Sequence, residues 1–314
     1  MAVERAVLVT RKTRLESLVE RFNTAAQARF YIQNAGGDFG EYEREHDAYR
    51  RSLDAVKLKL RDELKYTEID RSFVPGYLFE GTGVVVTVGQ DGLVANTAKY
   101  LRGIPIIAVN PDPGRYDGIL LPFSPDGFPP ALRSVMEGRA PLRHITLAEA
   151  VLGDGQRLLA FNDFFIGPRS HISARYRISH GGRSETQSSS GIIVSTGAGS
   201  TGWLSSLFNM ARGIEAAFTG TASLDGRVMA WDEERLIFVV REPFISRGSS
   251  ADITAGEITP EAVLEVESTM PSEGTIFSDG VEADFLKFNA GAVLRVSVAA
   301  EKAALVWTVE MKQQ

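Results

Sequence analysis

The segment from Val84 to Leu101, VVVTVGQDGLVANTAKYL, constrains the fold more than any other part of the chain. Four valines and a threonine in a row read as a strand buried on both faces. Gly89-Gln90-Asp91-Gly92 reads as a tight turn, and Leu93 onward as a helix. Glycines at 89 and 92 let the backbone take positive φ and approach a ligand closely. The unpaired amides and dipole of the helix start favour an anion there. Asp91 then stands where a carboxylate holds Mg²⁺ or accepts a proton from a hydroxyl nucleophile. The same turn would also serve as a plain helix start, with Asp91 as its cap and the glycines only turning the chain.

The surrounding pattern repeats this alternation. Ala6 to Val9 reads as a strand, and Leu15, Leu18, Val19 and Phe22 have the spacing of a helix facing a core. Glu41 to Lys65 places Tyr42, Tyr49, Leu53, Val56, Leu60 and Leu64 at steps of three and four, a long amphipathic helix. Ile104 to Val109 is a further buried strand, followed by a stretch to Gly118 broken by proline and glycine. Strand and helix in turn predict a parallel sheet with crossover helices. Near Pro141 the character changes. Short strands separated by Asp-Gly, Gly-Gly and Ser-rich turns follow, including Leu158 to Ile166, Gly191 to Ser195, Arg235 to Val240 and Val293 to Val298, which predicts a β-sandwich. One helix interrupts them, from about Leu204 to Phe218. The expected organisation is an α/β domain over 1–141, which 300–314 could complete, and an all-β sandwich over 142–299.

At 314 residues two domains are the default. The formal net charge of -6 gives no basic footprint for nucleic acid or an anionic membrane. With no cysteine, disulfides and thiolate metal sites are excluded, and no apolar run has the length of a bilayer span. The N-terminus lacks the apolar block of a signal peptide. Arg11, Lys12 and Arg14 have the look of a presequence, but Glu4, Glu16 and Glu20 dilute it. A cytoplasmic protein is expected.

Gly197-Ala-Gly199-Ser-Thr-Gly202 has the G-x-G-x-x-G spacing of a dinucleotide fold, after a strand and before a helix. No second parallel strand ending in an acid follows, as that fold requires. The loop is therefore read as an anion or ribose site whose hydroxyls, Ser195, Thr196, Ser200 and Thr201, bond a ligand, or as a connector whose hydroxyls cap the helix. Asn162-Asp163 places two polar side chains inside an apolar strand, where they read a base edge and a ribose diol, or are simply strand-edge residues. Ser278-Asp279-Gly280 looks like a hairpin turn. The four histidines show no metal-ligand spacing, and there is no G-x-x-x-x-G-K-[ST] loop.

Taken in order, a G-x-D-G turn after a strand, an Asn-acid pair, a V-S-T-x-x-G-S-T loop and an Asp-Gly hairpin resemble the NAD kinase family, within the superfamily of diacylglycerol and sphingosine kinases. The resemblance spans most of the chain beyond Val84. Val109 to Pro122, Ser170 to Ser195 and Val240 to Ser250 look closest to its mitochondrial-type branch. It implies an α/β domain, a β-sandwich, substrate held between them, and a homodimer or larger homo-oligomer. It also implies phosphoryl transfer from ATP with Mg²⁺, or from polyphosphate, to the 2′-hydroxyl of NAD or NADH. Carried over by motif, Asp91 is the catalytic aspartate beside Gly89 and Gly92. Asn162 and Asp163 contact the dinucleotide. Thr196, Gly199, Ser200 and Thr201 form the binding loop, with Trp203 where the family usually has tyrosine. Arg115, Arg241 and Arg247 are further phosphate partners to test. The chain departs from the pattern at Gln90, Leu93 and Ser190, which bears on substrate choice. A same-fold kinase acting on a lipid or sugar-like alcohol, and a non-catalytic dinucleotide-binding relative, are the alternatives.

Overall fold

The strand-turn-helix unit around Asp91 sits at the centre of a parallel sheet in the computed structural model, which describes residues 3–308. Two compact units divide the chain: residues up to Arg143 together with those from Ala304 onward, and His144–Ala303.

In the first unit the strands are β1 (Arg5–Thr10), β2 (Lys65–Asp70), β3 (Val84–Val88) and β4 (Pro105–Val109). They lie in the order β2-β1-β3-β4, all parallel. Every residue of β3 is buried, so the valine run is the signature of a strand covered on both faces. The helices are α1 (Arg14–Phe22), α2 (Ala25–Asn34), α3 (Phe39–Glu63), α4 (Asp91–Ala98) and α5 (Phe128–Met136). Helix α3 buries Glu45, Tyr49, Leu53, Val56 and Leu60, one face at steps of three and four. That face joins Leu8, Val86 and Ile107 in the core. Thr13 and Glu16 close a capping box at the start of α1. The sequence pattern marks neither α2 nor β2. The six residues of β2, KYTEID, include only one that is fully buried, so no alternation shows.

The second unit contains β5 (Leu142–Leu152), which begins just ahead of it, β6 (Arg157–Ala160), β7 (Asp163–Pro168), β8 (Ala174–His180), β9 (Arg183–Ser189), β10 (Ile192–Ser195), the helix α6 (Trp203–Thr219), β11 (Leu236–Val240), β12 (Ala255–Ile258), β13 (Leu264–Ser268), β14 (Gly274–Ser278), β15 (Phe285–Lys287) and most of β16 (Val293–Val306). One antiparallel sheet runs β12-β11-β10-β7-β14-β15. The other runs β16-β13-β8-β9, with β5 on β16 and β6 on β5. Side chains from both meet in one core, Phe164, Ile166, Val194 and Phe238 from the first against Tyr176, Ile178, Val266 and Val296 from the second. This is the expected β-sandwich. The last part of β16 belongs to the first unit, where Ala304 and Leu305 pair in parallel with β4.

The stretch from Leu158 to Ile166, expected as one strand, is two. Strand β6 pairs with β5 in one sheet and β7 with β10 and β14 in the other, so the chain changes sheets at Phe161-Asn162. Asn162 therefore stands at a corner and Asp163 opens β7, rather than both lying in the middle of one strand.

Candidate functional site

In the first unit the site is the turn after β3. Gln90 is the N-cap of α4, extended at φ -103° and ψ 169°, and its side chain makes no capping hydrogen bond. Asp91 opens the helix, half-buried. Its Oδ1 accepts a 2.7 Å hydrogen bond from the Leu120 amide. Its Oδ2 has no hydrogen-bond partner among the described residues. The proline- and glycine-rich stretch after β4 supplies that amide. Asn110 is buried there and bonds the Tyr116 carbonyl through Nδ2 and the Asp112 amide through Oδ1, and Gly118 takes φ +64°. A loop held in this way fixes one carboxylate oxygen and presents the other. The first-turn amides of Asp91 and Gly92 have no intrahelical acceptor.

One expectation for this turn fails. Neither Gly89 nor Gly92 is among the positive-φ glycines. A Cβ on Gly89 would lie 2.8 Å from Leu93 Cδ2, so glycine there serves close packing. A Cβ on Gly92 would meet no atom within 4 Å, so the space over the helix start is open.

In the second unit the Asn-acid corner and the hydroxyl loop form one assembly. The Asp279 carboxylate accepts from the amides of Phe161 at 3.1 Å, Asn162 at 2.6 Å and Asp163 at 3.4 Å. Asp279 and Gly280 both take positive φ, at 54° and 69°, in the turn between β14 and β15. The Asp-Gly signal therefore marks more than a hairpin, because its acid side chain pins the corner that carries Asn162 and Asp163. The Asn162 carbonyl accepts from the Thr196 amide at 2.9 Å.

Three of the loop hydroxyls, expected to bond a ligand, bond the chain's own backbone. Ser195, Thr196 and Ser200 are wholly buried. Thr196 Oγ1 donates to the Phe161 carbonyl at 2.6 Å and accepts from the Gly199 amide at 3.2 Å. Ser200 Oγ donates to the Gly197 carbonyl at 2.7 Å and accepts from the Met229 amide at 3.2 Å, while Ser195 Oγ donates to the Thr196 carbonyl at 3.1 Å. They do not cap α6 either, since its N-cap, Gly202, has no side-chain cap. The physical reason is packing. A Cβ on Gly199 would collide with the Asn162 carbonyl and one on Gly197 with the Ala230 carbonyl, so the loop is pressed against backbone and its hydroxyls satisfy it. Thr201 alone of the four is exposed.

Trp203 begins α6 and stacks on Phe165, with centroids 6.1 Å apart and planes within 6°. Phe277 lies 5.1 Å from the Phe165 centroid. These rings, Ser190 and Arg241 line a cavity of about 380 Å³, and the Arg241 guanidinium lies 5.8 Å from the Trp203 ring. Of the other two arginines, Arg115 bonds the Glu41 carbonyl at 3.3 Å and Arg247 is exposed. The anchoring roles of Leu120 and Asp279 were not visible as sequence signals. Phe165 had one, as the apolar residue two places past the Asp163 carboxylate on a strand.

No family model matches the chain. A stretch of 123 residues is 31% identical to an NAD kinase of Chlorobium phaeobacteroides, which is 38% of this chain and 42% of that protein's length. The chain therefore spans less than half of the relative it matches. Among solved structures, yeast NADH kinase complexed with NADH superposes with a TM-score of 0.60 at 16% identity, over 99% of this chain and 85% of that one. An NAD kinase from Archaeoglobus fulgidus in complex with ATP gives a TM-score of 0.55 at 17% identity, over 98% and 94%. The chain shares the fold of these two solved kinases, and over 123 residues its sequence is similar to that of an NAD kinase.

Proposed function

We propose that this protein transfers a phosphoryl group from ATP to the 2′-hydroxyl of NAD or NADH, forming NADP(H). The observation that carries the reading is Asp91, held through one oxygen by the Leu120 amide at the start of α4, with open space above Gly92. Phosphoryl transfer asks a protein mainly to position and to neutralise. Asp91 Oδ2 accepts or orients the proton of the attacking hydroxyl, and the first-turn amides of α4 face developing negative charge. Asn162 and Asp163, on the corner pinned by Asp279, contact the dinucleotide, as do exposed Thr201 and half-buried Trp203. Thr196, Gly199 and Ser200 act by holding the shape of the loop.

Among the described residues no group of three or more His, Cys, Asp or Glu could hold a metal. This fits a Mg²⁺ that arrives on the nucleotide, since Mg²⁺ is commonly bound by one or two carboxylates together with phosphate oxygens and waters. Asp91 is the residue that would hold it, and its chemistry is charge neutralisation on the phosphates. No helix among the described residues is long and apolar enough to cross a membrane. We place the protein in the cytoplasm, in line with its lack of cysteine. We also read it as a homodimer or larger; Met210, Ile214 and Phe218, exposed on one face of α6, are apolar surface suited to self-association. The mitochondrial-type branch stays part of this proposal.

The test is an NADP-specific coupled assay with Mg-ATP and, in separate reactions, NAD and NADH. Product with either supports the reading. No product with both, while NAD still raises the melting temperature, sinks the activity and leaves a binding protein.

A further inference from the structure

The Asp-Gly pair at 279–280 holds more than a hairpin requires. The Val281 amide closes that turn on the Ser278 carbonyl at 3.0 Å, with both central residues at positive φ. Asn-Gly or Gly-Gly would close it equally well, so the turn does not call for a carboxylate. The carboxylate bonds elsewhere. Its Oδ2 accepts from the Phe161 amide at 3.1 Å, and its Oδ1 from the Asn162 amide at 2.6 Å and more weakly from the Asp163 amide at 3.4 Å. Successive amides converging on one carboxylate form the arrangement in which backbone binds an anion, and a charged acceptor strengthens such bonds.

The carbonyls of the same corner are held as well. The Phe161 carbonyl accepts from Thr196 Oγ1 at 2.6 Å and the Asn162 carbonyl from the Thr196 amide at 2.9 Å, while the Asp163 carbonyl accepts from the Asp279 amide at 3.0 Å. Asp279 and Thr196 together therefore satisfy every backbone polar group from Phe161 to Asp163. Phe161 is buried, whereas Asn162 and Asp163 are half-buried. With the backbone fixed on both sides, the Cα–Cβ directions of these two residues are fixed too. A crossing between sheets needs only a short connector. This one holds two polar side chains in place.

We propose that Asp279 is a positioning residue of the substrate site: its carboxylate sets the backbone of residues 161–163 and so the angle at which Asn162 and Asp163 meet the ligand. The inference rests on the reading of that pair as dinucleotide contacts. Asp279 acts through the residues it holds, so its loss falls on the affinity and the KM for NAD. The transfer rate at saturating NAD then changes little, the pattern of an interaction shared by ground and transition states. Because the group it supplies is a carboxylate lodged among amides, a free carboxylate of similar size substitutes for it once the side chain is gone.

Isothermal titration of the full chain with NAD, in wild type and two variants, tests this without turnover. Asp279→Asn keeps one oxygen and suits the positive φ, and should weaken NAD binding by about tenfold, the scale of one charge-assisted hydrogen bond. Asp279→Gly removes every acceptor atom and should weaken it by about a hundredfold, the scale of two. Sodium formate, compared with sodium chloride at equal ionic strength, should recover part of that loss in Asp279→Gly and leave wild type unchanged. In turnover the KM for NAD should rise with kcat within about threefold of wild type. Thermal melting shows which variants are folded, and if Asp279→Gly is not, Asp279→Asn decides alone. Wild-type affinity in folded Asp279→Asn, a loss in folded Asp279→Gly that formate does not reduce, or a fall in kcat with KM unchanged overturns the role. No NAD binding by wild type instead removes the reading of Asn162 and Asp163 as dinucleotide contacts, and this role with it.

Discussion

The Asp91 turn and the hydroxyl loop both contain glycines after a buried strand and before a helix, yet the structure uses them in opposite ways. In the loop, Ser195, Thr196 and Ser200 are wholly buried and their hydroxyls bond the chain's own carbonyls. Gly197 and Gly199 are glycine because backbone carbonyls occupy the place of a side chain. In the turn, Gly92 faces open space and Asp91 keeps one oxygen uncommitted to any described residue. Gln90 leaves its amide uncommitted to capping. A segment that satisfies itself is scaffold, whereas one that leaves polar groups waiting is where chemistry can enter.

The glycines of the loop carry the largest expected effect. Gly199→Ala forces a Cβ into the Asn162 carbonyl and should destabilise the second unit by about 3 kcal/mol, the upper part of the overpacking range, read by urea unfolding. A loss under about 0.5 kcal/mol would mean the loop can give, and the contrast would weaken. Next come the hydroxyls. Thr196→Val leaves the Phe161 carbonyl and the Gly199 amide without their partner and should cost about 1–3 kcal/mol. Thr201→Val, at an exposed position, should cost within about 0.5 kcal/mol while raising the KM for NAD. Equal stability losses at the two threonines would contradict the assignment of one to scaffold and the other to surface.

A pH titration sharpens the turn side. Burial pushes the Glu45 carboxyl up, but hydrogen bonds from Arg14 and Arg11 outweigh it, so its pKa lies below the ordinary glutamate value. A depressed carboxyl stabilises the fold at pH above its unfolded pKa, and that contribution fades as pH falls through the folded value. Hydrogen exchange at the start of α1 and the middle of α3 should therefore begin to accelerate as pH falls below the ordinary glutamate value and level off once it is below the folded one. Glu45→Gln should abolish that step. Smallest is Gly92→Ala. With no atom within 4 Å of the new Cβ and a helical position, stability should stay the same or rise by up to about 1 kcal/mol. Any defect would then be kinetic, from a methyl group above the helix start.

Much of the architecture was legible in sequence. The valine run of β3, the three-and-four spacing of α3 and the Asp-Gly and Gly-Gly turns each report a local pattern set by burial. What escaped was set by distant partners. Strand β9, RSETQSS, has no apolar residue, and Gln187 and Ser189 are buried because the Tyr176 hydroxyl bonds both. The break at Phe161-Asn162 depends on a carboxylate 117 residues away. Leu120, which fixes Asp91 through its amide, acts by backbone, so its side chain carried no signal. Arg11 was visible only as part of a basic cluster, and its unpaired Nε appears only once Tyr49 and Glu45 close around it.

Single-turnover transfer with Mg-ATP and NAD, in wild type and Asp91→Asn, with NAD affinity measured alongside, tests the central claim most directly. Asparagine retains an oxygen for the Leu120 amide, so the account predicts an unchanged fold, NAD affinity within about threefold, and transfer slowed by about 10² to 10⁴, the span of general-base catalysis. Transfer at the wild-type rate in a folded Asp91→Asn protein would contradict it.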